Sequence, residues 1–229
     1  MPTLDRHDAV FVLDLGDNEN RFHPDWMASV NALLDEVEKG DPGALVTTAS
    51  GKIWSNGLDL EWLGENPEQF TAYTSQVHLL FARVLSLPMI TVAALQGHTF
   101  AAGAMLSLCH DFRVMRADRG FWCLPEADIN IPFSVGMGAL IQSRLTPQTA
   151  HEAMVGARRF GGTEAYERQI VDAAVPEELV RERAIELASA QVGKAGPTLR
   201  TIKTRMYASV LAALTSEGEK APDAGLFRR

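Results

Sequence analysis

The chain has 229 residues, 46% of them hydrophobic and 22% charged, with a formal net charge of −8 and a pI near 5.3. These values suit one globular domain with a sizeable core. They argue against the broad basic surface that follows nucleic acid or an anionic membrane, and leave room for an anionic small molecule held by a few local cations.

The N-terminal MPTLDRHDAV lacks the basic start and apolar centre of a signal peptide, and no apolar run reaches the length of a membrane span. AVFVLDL (9 to 15) reads as a strand. PDWMASVNALLDEVEKG then carries Trp26, Val30, Leu33, Leu34 and Val37 at helical spacing, with Pro24 at its start and Gly40 at its end. ALVTTAS (44 to 50) is strand-like. The next helix, PEQFTAYTSQVHLLFARVL, puts Phe70, Tyr73, Val77, Leu80, Phe81 and Val84 on one face, and MITVAAL (89 to 95) is another strand.

A helix from about Ala102, a strand around FRVM (112 to 115) and short apolar pieces near FWCL continue the alternation to about residue 135. Alternating strands and helices predict an α/β core with a parallel sheet, here over 1 to 135. The remainder, 136 to 229, reads as mostly helical, with one strand-like IVDAAV at 170 to 175. Its segment PTLRTIKTRMYASVLAAL places Leu199, Ile202, Met206, Val210, Leu211 and Leu214 on a single helical stripe, a face that needs cover from the core or from a neighbouring subunit. The tail SEGEKAPDAGLFRR is polar enough to fray, and it does not end in a peroxisomal address of the Ser-Lys-Leu type. The expectation is a soluble, cytoplasmic protein.

Several chemistries lack their spacing. His151-Glu152 begins an HExxH pattern that fails at Val155, the other histidines are scattered, and no metal site is expected. Cys109 and Cys123 stand in apolar surroundings without CxxC spacing, which predicts core thiols in a reducing compartment. There is no phosphate loop, no GxSxG elbow and no dinucleotide fingerprint.

Three segments remain: GKIWSNGLDL (51 to 60), GHTFAAGAMLSL (97 to 108) and FWCLPEADINIPF (121 to 133). The first two join a strand to a helix through small residues, which frees backbone N–H groups to meet an oxygen atom. The third carries a single carboxylate, Glu126, among apolar residues.

At these three segments, in this order and spacing, the sequence resembles the crotonase, or enoyl-CoA hydratase/isomerase, superfamily over about residues 5 to 210. The resemblance implies a crotonase-like spiral of ββα turns followed by a helical C-terminal trimerisation region, an acyl-CoA thioester as ligand, and a homotrimer or hexamer. It implies that the backbone N–H groups of Leu58 and Ala102 form an oxyanion hole, with Ala101, Ala102 and Gly103 kept small so that the acyl group lies against the backbone. Glu126 is implied as the catalytic carboxylate.

Family hydratases use a second glutamate on the helix after the second oxyanion segment, and here that position is Met105. A thioether neither accepts a proton nor orients water, so the resemblance points to the 3-enoyl-CoA to 2-enoyl-CoA isomerases. The dienoyl-CoA isomerases place an aspartate eight residues after the glutamate, where this chain has Ser134. Trp122, Leu124, Ile129, Ile131 and Phe133 are expected to desolvate Glu126 and raise its pKa; Asp128 orients the loop or faces solvent. Arg21, Lys52 and Lys203 are candidates for the CoA phosphates, Lys203 from a helix that in family trimers reaches a neighbour's ligand. No cofactor is expected beyond the coenzyme A of the substrate. The alternatives are hydration or other enolate chemistry on acyl-CoA and, from a different class, a non-catalytic CoA-binding assembly protein.

Overall fold

The computed structural model describes residues 1–216; the polar tail expected to fray lies outside them, apart from Ser216. Aliphatic and β-branched runs build the larger sheet. β1 (Thr3–His7) and β2 (Val10–Asp14) form an antiparallel hairpin that turns at Asp8, φ 53°. After α1 (Pro24–Lys39) the chain adds β3 (Ala44–Thr48) in parallel to β2, with Val12 opposite Val46. It then leaves the sheet for the short β4 (Ile53–Ser55), α2 (Leu60–Glu65) and α3 (Phe70–Leu85).

The same excursion recurs. β5 (Ile90–Leu95) returns to the sheet, followed by β6 (His98–Phe100) and α4 (Ala102–Leu108); β7 (Phe112–Arg116) is followed by β8 (Trp122–Cys123) and the one-turn α5 (Glu126–Ile129). α6 (Val135–Arg144), α7 (Pro147–Met154), β9 (Arg159–Phe160), α8 (Gly162–Glu167), β10 (Ala173–Val175), α9 (Val180–Ser189), α10 (Pro197–Met206) and α11 (Ala208–Thr215) complete the described chain. The six-stranded sheet has the order β1-β2-β3-β5-β7-β10, parallel from β2 onward, and a four-stranded sheet, β4-β6-β8-β9, gathers the short second strand of each turn. This is the spiral of ββα turns.

Alternation along the strands gives the larger sheet two apolar faces. Val10, Val12, Val46, Val92 and Val114 meet Val180, Ala184 and Ala188 of α9 on one side, while Phe11, Leu13, Leu45, Ala93 and Met115 face the main core on the other. Fully burying each large aliphatic or aromatic side chain is worth about 1.5–3 kcal/mol. α3 contributes the stripe read from its spacing: Tyr73, Val77, Leu80, Phe81 and Val84 are buried, and Phe70 packs at the edge.

Residues after 135 share this core. β10 pairs with β7 inside the larger sheet, and Met137, Leu140, Ile141, Val210 and Leu214 belong to the main cluster. The single C-terminal helix expected over 197 to 214 is instead two, broken at Tyr207 (φ −106°, ψ 22°). The break divides the apolar stripe: Val210 and Leu214 are buried within this chain and Leu199 packs against the second apolar cluster, whereas Ile202 and Met206 stay 55% and 70% exposed. Deleting 197 to 229 therefore removes part of the core as well as a surface.

Candidate active site

The three segments converge because the second strand of each turn lies in one small sheet. β4, β6 and β8 are parallel neighbours, so the loops at their C-terminal ends are stacked side by side. Asn56, Leu58, Ala101, Pro125 and Glu126 from those loops line one pocket of about 290 Å³, closed by Ile53, Leu60, Phe100, Ile129 and Ile131.

Two glycines set the contact between the first two loops. A Cβ on Gly57 would lie 2.5 Å from the Ala102 nitrogen, and Gly57 sits at φ 77°, a conformation that disfavours any side chain. A Cβ on Gly103 would lie 2.6 Å from the Ser55 carbonyl oxygen. The small residues at 101 to 103 thus serve separate ends: Ala101 lines the pocket, and Gly103 admits the neighbouring strand rather than an acyl group. Ala101 is held at φ 53°, ψ −128°, a region a non-glycine residue enters only at a cost of about 1–3 kcal/mol. Its reward is the sharp entry into α4, which leaves Ala102 as the first helical residue with its N–H unspent. Among the described residues neither the Leu58 nor the Ala102 N–H has an acceptor.

The first loop is braced from below. The Ser55 hydroxyl accepts from the Gly57 N–H at 3.1 Å and donates to the Asn20 carbonyl at 2.7 Å. Asp59 caps α2 by accepting from the Trp62 N–H, and its own N–H donates to the Tyr73 hydroxyl at 2.9 Å. Tyr73 was legible only as a core position on a helical face; its hydroxyl also ties that core to the loop carrying Leu58.

Glu126 opens α5 and is 6% exposed, with Oε2 buried and unpartnered. Burial pushes its carboxyl up to about 7, against a smaller opposing effect of a backbone hydrogen bond. Ile129 and Ile131 stand beside it in the pocket. Trp122 and Leu124, expected to do the same, are wholly buried elsewhere in the core, Trp122 donating to the Ser107 hydroxyl at 3.0 Å. Asp128 is exposed. Met105 is 1% exposed within the main core and is absent from the pocket lining. Ser134 caps α6 and shares a 2.8 Å hydrogen bond with His78 Nε2, so it brings no acid to the pocket.

The three candidate cations separate. Lys203 is 4% exposed, and its ammonium donates to Asp111 Oδ2 at 2.6 Å and to the Met89 carbonyl at 2.7 Å. This corrects its assignment to the CoA phosphates: the side chain turns inward, because Asp111, part-buried and also accepting from the N–H and hydroxyl of Thr91, is a fixed counter-charge. Burial lowers the Lys203 pKa and Asp111 opposes that shift. Lys203→Met strands the Asp111 carboxylate and should cost about 3 kcal/mol in chemical denaturation, with Lys203→Met/Asp111→Asn recovering part of the loss.

Arg21 is held by Glu19 at 2.6 Å, with Glu61 and Asp59 at 3.8 and 4.0 Å, so its charge is largely answered. Lys52 instead lines a second cavity, of about 400 Å³, with Arg116, Arg119, Gly120, His98 and Glu177. Arg116 is paired to Asp118 and Glu177, whereas among the described residues Lys52 and Arg119 have no ion-pair partner. Arg119 has no periodicity or motif to single it out in the sequence. Both cysteines are buried and form no disulfide, and among the described residues no three His, Cys, Asp or Glu side chains gather as metal ligands. No helix among them is long and apolar enough to cross a membrane.

Comparison with known proteins finds relatives along nearly the whole chain. The family described as enoyl-CoA hydratase/isomerase matches residues 5–227. Enoyl-CoA delta isomerase 2, peroxisomal, of Arabidopsis thaliana is 33% identical over 235 residues, covering 95% of this chain and 96% of the relative. The apo structure of an enoyl-CoA isomerase of Mycobacterium tuberculosis superposes with a TM-score of 0.87 at 28% identity, covering 94% of this chain and 95% of that one. The human mitochondrial delta3-delta2-enoyl-CoA isomerase shares the fold, with a TM-score of 0.87 at 20% identity over 99% of this chain and 89% of that one.

Proposed function

We propose that this chain, which belongs to the enoyl-CoA hydratase/isomerase family, moves the double bond of a 3-enoyl-CoA to the 2-trans position. The observation that carries the reading is a pocket with one carboxylate, Glu126, unpaired and desolvated, facing two loops whose Leu58 and Ala102 amides are unspent, while Met105 lies in the core.

The chemistry follows from those groups. With the thioester oxygen received by the N–H groups of Leu58 and Ala102, the proton on carbon 2 becomes acidic because the negative charge moves onto that oxygen. Preorganised donors of this kind are worth roughly 3 kcal/mol each. Glu126 takes the proton from carbon 2, the electron pair spreads over a dienolate, and the same carboxyl returns the proton to carbon 4. Nothing is consumed, so no redox or metal group enters this reading, and coenzyme A is the substrate's own arm. A carboxyl near pKa 7 suits the double role, since it is a stronger base than an exposed glutamate and still ionises at neutral pH.

For the CoA phosphates, Lys52 and Arg119 are the cations left unpaired beside the pocket. Assembly of three or six copies belongs to the same reading, with Ile202 and Met206 offering an exposed apolar surface on α10.

Product analysis tests the reaction. Supplied with 3-enoyl-CoA, the protein should form 2-trans-enoyl-CoA; supplied with 2-enoyl-CoA, it should form 3-hydroxyacyl-CoA at least about a hundredfold more slowly, because water has no second carboxylate to orient it. Rapid hydration would replace the isomerase reading with a hydratase one. Absence of any turnover, with CoA still bound, would favour the non-catalytic binding protein.

A further inference from the structure

After β2 the chain runs through exposed Asp17, Asn18 and Glu19, yet Asn20, next in line, is 6% exposed and held at φ 48°. Asparagine tolerates that left-handed backbone better than most residues, and a polar side chain buried in a surface loop is there for what it bonds. The Asn20 amide nitrogen donates to the carbonyls of Trp54 at 3.0 Å and Gly16 at 3.2 Å, with the Ile53 carbonyl at 3.5 Å. Its own backbone carbonyl accepts the Ser55 hydroxyl at 2.7 Å. Gly16 leaves room for this, since a Cβ there would fall 3.0 Å from Asn20 Oδ1. One side chain thus ties the loop after β2 to β4.

The consequence falls on the backbone beside it. The Asn56 N–H donates to the Glu19 carbonyl at 2.9 Å, the Phe22 N–H donates to the Gly57 carbonyl at 2.8 Å, and Arg21 forms a parallel bridge with Gly57. Residues 19 to 22 therefore run as an added strand along β4, the outermost strand of the smaller sheet. Phe22 anchors the end of that strand, being fully buried, stacked on Trp26 at 5.1 Å and edge-on to Phe81 at 6.3 Å.

The Gly57 carbonyl and the Leu58 N–H are opposite ends of one planar trans peptide group. Holding the carbonyl on Phe22 fixes the direction of the Leu58 N–H, away from Phe22, and polarises it as a donor. The Ala102 N–H is fixed in the same manner by its own helix, where the Ala101 carbonyl accepts the Met105 N–H at 3.1 Å. Leu58 has no such helix behind its amide. Its brace comes from 36 to 39 positions earlier in the chain, through the strand that Asn20 holds.

We propose that Asn20 is a positioning residue for the reaction: it keeps residues 19 to 22 on β4, so that the Phe22 N–H sets the Gly57–Leu58 peptide and with it one of the two thioester donors. The proposal rests on the oxyanion reading of Leu58 and Ala102 above.

The experiment uses Asn20→Gly, which accepts the positive φ and removes only the side chain, and Asn20→Asp, which keeps the size but has no N–H to donate. Ser55→Ala reaches the same peptide independently, by removing the hydroxyl that joins the Asn20 carbonyl to the Gly57 N–H. Val180→Ala, in the cluster on the opposite face of the larger sheet, is the control for lost stability alone. Each Asn20 variant should lower kcat about thirtyfold, short of the 10²–10³ for complete loss of a donor, with KM changed less than threefold. The pH dependence of kcat/KM should stay where Glu126, on a different loop, sets it. Ser55→Ala should show the same split, and Asn20→Gly/Ser55→Ala should lose less than the product of the single losses. Parental kcat in the folded Asn20 variants, or an equal loss in Val180→Ala, overturns the proposal.

Infrared difference spectra of a bound saturated acyl-CoA, labelled with ¹³C at its thioester carbonyl, read the donors without any turnover. The parent should lower the carbonyl frequency below that of the free thioester, and Asn20→Gly should lose about half of that shift, one donor of two being displaced. A full shift in Asn20→Gly overturns the proposal and leaves the oxyanion reading standing; an unshifted carbonyl in the parent overturns both.

Discussion

Glu126→Gln should fold, bind acyl-CoA and isomerise a 3-enoyl-CoA about a thousandfold or more slowly than the parent, because the amide has the shape of the carboxylate without its basicity. Two further readouts follow from the raised pKa. The carboxylate must be ionised to take the proton, so kcat/KM of the parent should fall as pH drops below about 7, instead of holding to the range of an exposed glutamate. Stability runs the other way. The folded protein binds this proton more tightly than the unfolded chain, whose glutamate titrates near 4.5, so the contribution is fully present below pH 4.5 and is lost as pH rises through 7. The loss is on the order of 3 kcal/mol for a group this buried. Glu126→Gln carries no charge to desolvate and should gain stability over the parent at pH 8 while losing activity. Stopped-flow turnover and urea denaturation at pH 5 and 8 measure both effects. Near-parental isomerase turnover in the folded variant would remove Glu126 from the reaction.

The opposed effects on stability and activity explain what could be read from the chain and what could not. Where packing decides, the signal is periodic: the alternation in AVFVLDL and MITVAAL, and the spacing of Tyr73, Val77, Leu80, Phe81 and Val84, correspond to elements seen in the fold. β8 and β9, at two residues each, are too short to carry a period, and their existence depends on pairing with distant strands. The three site segments were recognisable by motif, yet the reason for their small residues is visible only where Gly57 meets Ala102 and Gly103 meets Ser55. Lys203 misled because a long cationic side chain on a helix ordinarily reaches solvent, and only the fold brings Asp111, 92 positions earlier, against it. That Asn56 Oδ1 and His98 Nδ1 are buried without partners could not be read from the chain, since an unpaired polar atom is a property of its surroundings and not of its residue type.

Gly57→Ala should lower kcat about a hundredfold or more while leaving Glu126 untouched, and so tests the other half of the site. The new Cβ would fall 2.5 Å from the Ala102 nitrogen and 2.9 Å from that of Gly103, both backbone atoms, and no rotamer relieves the clash. Either the SNGLDL loop or the start of α4 must move outward, which separates the Leu58 and Ala102 donors. Removing one such donor from an oxyanion hole costs about 10²–10³ in kcat. The φ of 77° adds backbone strain, so the variant should also lose about 1–3 kcal/mol, read by denaturation beside the kinetics. Gly64→Ala is the control: it lies in α2, nothing approaches its Cβ position within 4 Å, and alanine there favours the helix by up to about 1 kcal/mol. It should retain parental turnover. A folded Gly57→Ala protein with parental kcat would mean that the thioester oxygen is stabilised elsewhere, and would move the reacting centre away from these two amides.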